Sequence, residues 1–208
     1  MHRRMPAFAA ILSALSFVSL SCIASEPSPH WIGCASCHGE AGQGSEARAA
    51  PAIAGQLPAY LLRQMEAFRS GWRGSHAADH GGRQMNLMAL ALADPVAQAT
   101  LVNWIAALPP PPPPPRAAAG DPARGASYYA PCAACHGPRG QGDAALGAPR
   151  LDTLQDWYFM AQMRKFRDGM RGDDRRDVTG RQMAAIAVST PEARWADIAA
   201  WLREQPLD

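Results

Sequence analysis

The chain has 208 residues, room for one large or two small domains, and 48% hydrophobic against 18% charged residues makes it globular rather than disordered. Aliphatic β-branched runs are scarce beside abundant Ala, Leu, Met and Arg, which points to helix. The formal charge of +2 belongs to the first few residues: removing Arg3 and Arg4 from 20 basic residues leaves 18 against 18 acidic ones, so the balance gives no argument for nucleic acid.

Residues 1–24 read as an export signal. A basic MHRRM is followed by an apolar stretch from Pro6 to Leu20, and small residues around Cys22 to Ala24 place the cleavage after Ala24. The run is shorter than the roughly 20 residues of a transmembrane helix. Acylation at Cys22 is disfavoured by Ser19, where a branched apolar residue is expected.

The next elements come as helices. In LPAYLLRQMEAFRSG, Pro58 stands near a helix start and Gly71 just past its end, with Leu61, Met65 and Phe68 as the apolar stripe. Asp94 and Pro95 open another helix, which puts Leu101, Trp104, Ile105 and Leu108 on one face and stops at Pro109. Seven prolines, Pro109 to Pro115, then form a stiff spacer of about 22 Å if they adopt polyproline II. GDPARGASYYAPC opens a further helix before Cys132, for which the first half has no good equivalent. A last amphipathic helix starts at Thr190.

These elements are two copies of one pattern. Cys132 lies 98 residues after Cys34, Met183 lies 98 after Met85, and YLLRQMEAFRSGWRG at Tyr60 matches YFMAQMRKFRDGMRG at Tyr158 with the same offset. Such a constant offset means duplication. It slips by one only after the second GRQM, so that Trp104 pairs with Trp201. The expected domains are 25–108 and 120–208, with 109–119 as linker.

Each copy carries one Cys-x-x-Cys-His: Cys34, Cys37 and His38, then Cys132, Cys135 and His136. Positions i, i+3 and i+4 share a helix face. Two thiols can therefore bond covalently to the two vinyl groups of one haem while the adjacent imidazole meets the iron, which is the attachment signature of haem c. Structural disulfides, which an exported chain would permit, would leave both histidines idle. A thioredoxin-like pair would need a βαβ context, and a four-cysteine zinc site usually draws its pairs closer together in sequence.

A sixth ligand is expected 47 residues after each histidine, where Met85 and Met183 end the repeated GRQM. The Gly-rich, polar lead-in to each suggests a loop folding over the haem edge. Met88 has Ile186 as its counterpart, which favours Met85. Met65 and Met163 lie on helix stripes and read as core. His76 and His80 are alternative ligands for the first iron, but the second copy offers no histidine besides His136.

On CASCHG, CAACHG, PAIAGQLPAYLLRQMEAFRSGWRG and the two GRQM segments, the chain resembles the tandem two-haem class I cytochromes c of the "c-four" type. The resemblance covers nearly all of the mature chain, although PRLDTL from Pro149 lacks the Ala-Gly-Gln of the Pro51–Gln56 segment. It implies an all-α fold of two cytochrome c domains joined by a proline-rich linker. It also implies two haem c groups, His/Met iron and a periplasmic electron-transfer role with redox partner proteins, such as an oxidase or dehydrogenase of the respiratory membrane. Six-coordinate His/Met iron offers a substrate no open position, so a carrier is expected rather than an enzyme. A dihaem peroxidase is the alternative, and a fixed subunit of a larger complex is a third reading. Between Arg164 and Arg181, seven basic residues against four acidic ones suggest that the second haem faces an acidic partner.

Overall fold

The computed structural model describes residues 28–112 and 120–207. The export signal and the centre of the linker lie outside them. Nine α-helices run in the order α1 (Trp31–His38), α2 (Pro58–Arg69), α3 (His80–Ala91), α4 (Pro95–Ala107), α5 (Pro122–Tyr129), α6 (Ala133–His136), α7 (Asp156–Arg167), α8 (Val178–Ser189) and α9 (Glu192–Arg203) among the described residues. No strand occurs among them, and two isolated bridges, Ser45 with Ala50 and Asp143 with Ala148, sit 98 residues apart. The all-α expectation holds.

The caps follow the sequence. Pro58 opens α2, and Gly71 follows its last turn at φ 72°. Asp94 caps α4 by accepting a hydrogen bond from Val96 N at 3.0 Å, and Asp121 caps α5 in the same way from Ala123 N at 2.9 Å. The last helix differs from its expected start: Pro191 is the N-cap of α9 and offers no side-chain cap. Thr190 instead turns its hydroxyl back to Ile186 O at 2.8 Å, at the end of α8.

In the second half, α9 lies across α5 and α7, and α7 also packs on α8. Their core is Tyr129, Phe159, Met163, Phe166, Trp195, Ile198 and Leu202. In the first half, α2 packs on α3 and α4, and the buried cluster is smaller: Trp31, Leu101 and Ile105, edged by Leu61, Ile53 and Trp104. Among the described residues nothing in the first half corresponds to α5. Each half keeps one aromatic pair at equivalent places, Trp31 against Trp104 at 5.0 Å and Tyr129 against Trp201 at 4.3 Å. Both partners also tie down the chain after the Cys-x-x-Cys-His turn. Trp31 Nε1 donates to Glu40 O, and Tyr129 OH donates to Gly137 O.

The α5–α9 crossing is close because position 125 is glycine. A Cβ there would lie 2.0 Å from Asp197 O, a backbone atom that cannot swing aside. Gly125→Ala is expected to push the helices apart and destabilise the second domain by about 1–3 kcal/mol, as overpacking does. Denaturant unfolding of the holoprotein, followed at the second haem, measures this.

Candidate functional site

The end of α1 places Cys34, Cys37 and His38 together. Both thiols are free, Cys34 half-buried and Cys37 exposed. His38 is buried, and its Nδ1–H donates to Pro51 O at 2.8 Å, which leaves Nε2 as the ring atom with a lone pair. Burial holds its pKa below the ordinary histidine value, so the imidazole is neutral, the form that binds a metal. His136 repeats this geometry with Pro149 O at 2.9 Å, and burial lowers it as well. A carbonyl that fixes the tautomer of a ligating histidine is the usual outer contact of such a site. Burial raises the pKa of both Cys34 and Cys132.

A cavity of about 380 Å³ opens beside His38. Cys34, Cys37, Met85 and Phe68 line it, with Leu101 and Ile105 of α4 on its wall. The wall is predominantly apolar, as suits a porphyrin face. In the second half, Cys132 and Met183 lie against the Phe159–Trp195 core. The structure thus brings Met85 to the same cavity as His38. It does not bring His76 or His80 there: both are exposed, and neither lines the cavity. Met163 is core, whereas Met65 lines the cavity wall instead of being sealed in the core. Met88 also reaches the cavity but remains exposed.

One expectation is corrected. The GRQM methionines do not sit on loops; Met85 lies inside α3 and Met183 inside α8. The glycines that suggested a loop are tolerated in the first turn because an aspartate caps each helix. Asp79 accepts from Gly82 N, and Asp177 from Gly180 N, each at 2.9 Å. Gly82 also permits a close crossing, since a Cβ there would meet Gly74 Cα at 2.7 Å.

The model of the cytochrome c family matches residues 32–109 and again 122–206. The chain belongs to the cytochrome c family. It is 32% identical over 172 residues to the thiosulfate dehydrogenase electron acceptor of Stutzerimonas stutzeri strain A1501, covering 79% of this chain and 77% of that one. It is also 32% identical over 164 residues to cytochrome c4 of Azotobacter vinelandii, covering 73% and 76%. Its fold resembles the solved cytochrome c4 of Acidithiobacillus ferrooxidans with a TM-score of 0.70 at 27% identity, over 83% of this chain and 98% of that one. It is a tandem dihaem electron-transfer cytochrome of the c4 type, with two covalently bound haem c groups.

Between the two halves of this cytochrome lies a buried polar cluster that the sequence reading did not single out. Arg73 and Arg171 are 6% and 7% exposed. Arg73 donates to Gln64 Oε1 of its own half at 2.6 Å, and to Tyr158 OH at 2.8 Å and Gln162 Oε1 at 3.1 Å of the other. Arg171 mirrors it, with Gln162 Oε1 at 2.8 Å, Tyr60 OH at 3.1 Å and Gln64 Oε1 at 3.1 Å. Each guanidinium also stacks over the phenylalanine of its own half, Phe68 at 4.5 Å and Phe166 at 4.4 Å. Burial opposes ionisation of Tyr60, but the charges of Arg171 and Arg73 outweigh it and hold the phenol below its ordinary pKa.

No carboxylate hydrogen-bonds to either arginine among the described residues, and Arg171 Nε is a buried donor with no partner. Buried cations call for anions. The propionates of a haem c would supply such anions, and Arg73 lines the cavity itself. The residues present therefore fit the cofactor. A signal for the cluster was available: Tyr60 and Gln64 are polar and spaced i, i+4 for one helix face, and they and Arg73 are all duplicated 98 residues later.

The seven-cation segment is less free than its composition suggests. Arg164 and Arg167 pair with Glu192, Arg167 also with Asp168, and Arg176 with Asp174. Lys165 and Arg171 face the interface. Arg175 and Arg181 alone remain without a side-chain partner among the described residues, so the case for a broad basic docking patch is withdrawn.

Other bonds lock the halves together. Gln155 accepts from Ala52 N at 2.9 Å and donates to Gln43 O at 2.8 Å, while Gln56 and Arg150 exchange two bonds of 2.8 and 3.0 Å. Gln155→Leu strands the buried Ala52 N–H and is expected to cost about 1–3 kcal/mol. Equilibrium unfolding of the holoprotein checks it, with both haem spectra expected to stay unchanged under native conditions.

Proposed function

We propose that this cytochrome is a periplasmic single-electron carrier with domains 25–108 and 120–208 joined by the proline-rich linker 109–119. In this reading Cys34 and Cys37 attach the first haem, with His38 and Met85 as axial ligands. Cys132, Cys135, His136 and Met183 do the same for the second. The single observation that carries the reading is the repeated set: a buried neutral histidine held by a carbonyl, two free thiols on the same helical turn, and a methionine on a capped helix 47 residues further on.

A haem c held by His and Met takes up and releases one electron without opening a site for substrate. The chain's own residues do the rest. They exclude water around the ring, fix the imidazole tautomer, and hold the two halves face to face through Arg73 and Arg171. Among the described residues no helix is long and apolar enough to cross a membrane. Together with the export signal read in residues 1–24, this supports a periplasmic protein that meets its partners by diffusion or by peripheral contact with the membrane.

For the electron donor we propose a dehydrogenase that oxidises a reduced inorganic sulfur compound, on the strength of the relative named as an electron acceptor of thiosulfate dehydrogenase. The test is stopped-flow reduction of the oxidised cytochrome by a thiosulfate dehydrogenase with thiosulfate. Rapid reduction of both haems is expected, and no reduction beyond the rate with thiosulfate alone would refute this donor.

The ligand assignment predicts that Met183→Ala abolishes the iron–sulfur charge-transfer band of the second haem and lowers its potential, and that Met85→Ala does so at the first. If Met88→Ala removed the first band while Met85→Ala left it, the assignment would be wrong. The freshly purified wild type is expected to show both irons low-spin and no fast turnover of hydrogen peroxide. Fast turnover would favour the peroxidase alternative.

A further inference from the structure

The helices α2 and α7 are equivalent, but among the positions at which they differ in charge is one that meets a buried carboxylate of the other half. Position 165 of α7 is lysine, and 98 residues earlier α2 has the buried Ala67. Lys165 is the only lysine of the chain; the other basic residues are all arginine. It crosses the interface, where its Nζ donates to Asp79 Oδ1 at 2.6 Å. Asp79 is the N-cap of α3, and the same Oδ1 accepts from Gly82 N. The Asp79 side chain is 2% exposed and that of Lys165 is 25% exposed. Both residues line the cavity that contains His38 and Met85.

In the second half, Asp177 caps α8 in the same manner and is buried too. The position that would supply its lysine is Ala67. The backbone is therefore pseudo-symmetric, and the charge around the two capping carboxylates is not.

We propose that Lys165 is a positioning residue for the first haem site, reaching from the second domain to hold Asp79 and, through it, the start of the helix that carries Met85. It acts in two ways. It fixes the first turn of α3 against the other domain, and it neutralises a buried carboxylate at the edge of the first pocket. A negative charge left there stabilises ferric over ferrous iron, so loss of the amine lowers the affinity of the first haem for an electron. The second haem has no such lysine to lose. The mechanical part rests on Met85 being the ligand, as proposed above; the electrostatic part needs only that the first haem occupies the cavity.

The test uses the holoprotein with Lys165→Gln, Lys165→Arg and the double change Lys165→Gln with Asp79→Asn. The two midpoint potentials are resolved by redox titration, with each haem assigned by its own NMR methyl signals. Lys165→Gln is expected to weaken the reduction equilibrium of the first haem by roughly threefold to tenfold, the scale of one nearby charge at an effective dielectric of about 20 or more. Tenfold corresponds to 59 mV for one electron. The second haem should move less, Lys165→Arg should retain the wild-type value, and adding Asp79→Asn should restore it. Equal shifts at both haems, or lower stability with both potentials unmoved, would overturn the proposal. So would failure of Lys165→Arg to retain the wild-type potential. An error in the Met85 assignment shows separately, as a charge-transfer band that survives Met85→Ala while the Lys165→Gln shift persists. Should Lys165→Gln not fold, Asp79→Asn alone keeps the cap, removes the charge, and must raise the first potential.

Discussion

Two buried arginines, each bridging both halves, are the constraint on which this structure depends. A guanidinium cannot shed its charge by releasing a proton, so burying it demands a full set of acceptors and an anion nearby. Arg73 and Arg171 find most of their acceptors by exchanging partners across the interface, each borrowing a tyrosine and a glutamine from the other half, while Arg171 Nε stays without a partner among the described residues. The arrangement is isologous, like a two-fold dimer made within one chain. Neither half satisfies its own arginine alone. The two haem-bearing domains are thereby held in one relative placement although their covalent link is only a proline tract.

That placement explains why the first cavity is walled partly by the second domain. Pro149, Leu154, Tyr158 and Lys165 all reach it. The first half has the smaller core among the described residues and no described counterpart of α5. Its pocket is completed from outside, by the very helix whose sequence departs from its duplicate at position 165. Duplication supplied a symmetric frame, and single substitutions at the interface then made the two sites electrostatically different.

Much of this was legible in the sequence. The offset of 98 residues gave the repeat, the Cys-x-x-Cys-His turns gave the cofactor, and the Asp-Pro and Pro–Gly punctuation located α2, α4 and α5. Those features are local: a cap, a helical face and a covalent attachment each need only neighbouring residues. The lead-in to the methionines misled for an equally local reason. Glycine disfavours helix, and the buried caps Asp79 and Asp177, together with close backbone crossings, allow Gly81 and Gly82 inside α3 and Gly180 inside α8. The cationic segment misled because composition counts charges without their partners, and Glu192, which neutralises Arg164 and Arg167, lies on another helix.

The sequence by itself therefore determined the duplication, the helical class, the haem chemistry and the candidate ligand spacing, because each is written in contacts along the chain. Tertiary structure alone decided that Tyr60, Gln64 and Arg73 meet their own duplicates, that the sole lysine pairs with the cap of α3 in the opposite half, and that His76 and His80 stay outside the pocket. Those outcomes depend on how two folded halves pack, with hydrogen bonds spanning 85 to 111 positions of sequence, and no local periodicity encodes which face of one half will meet the other.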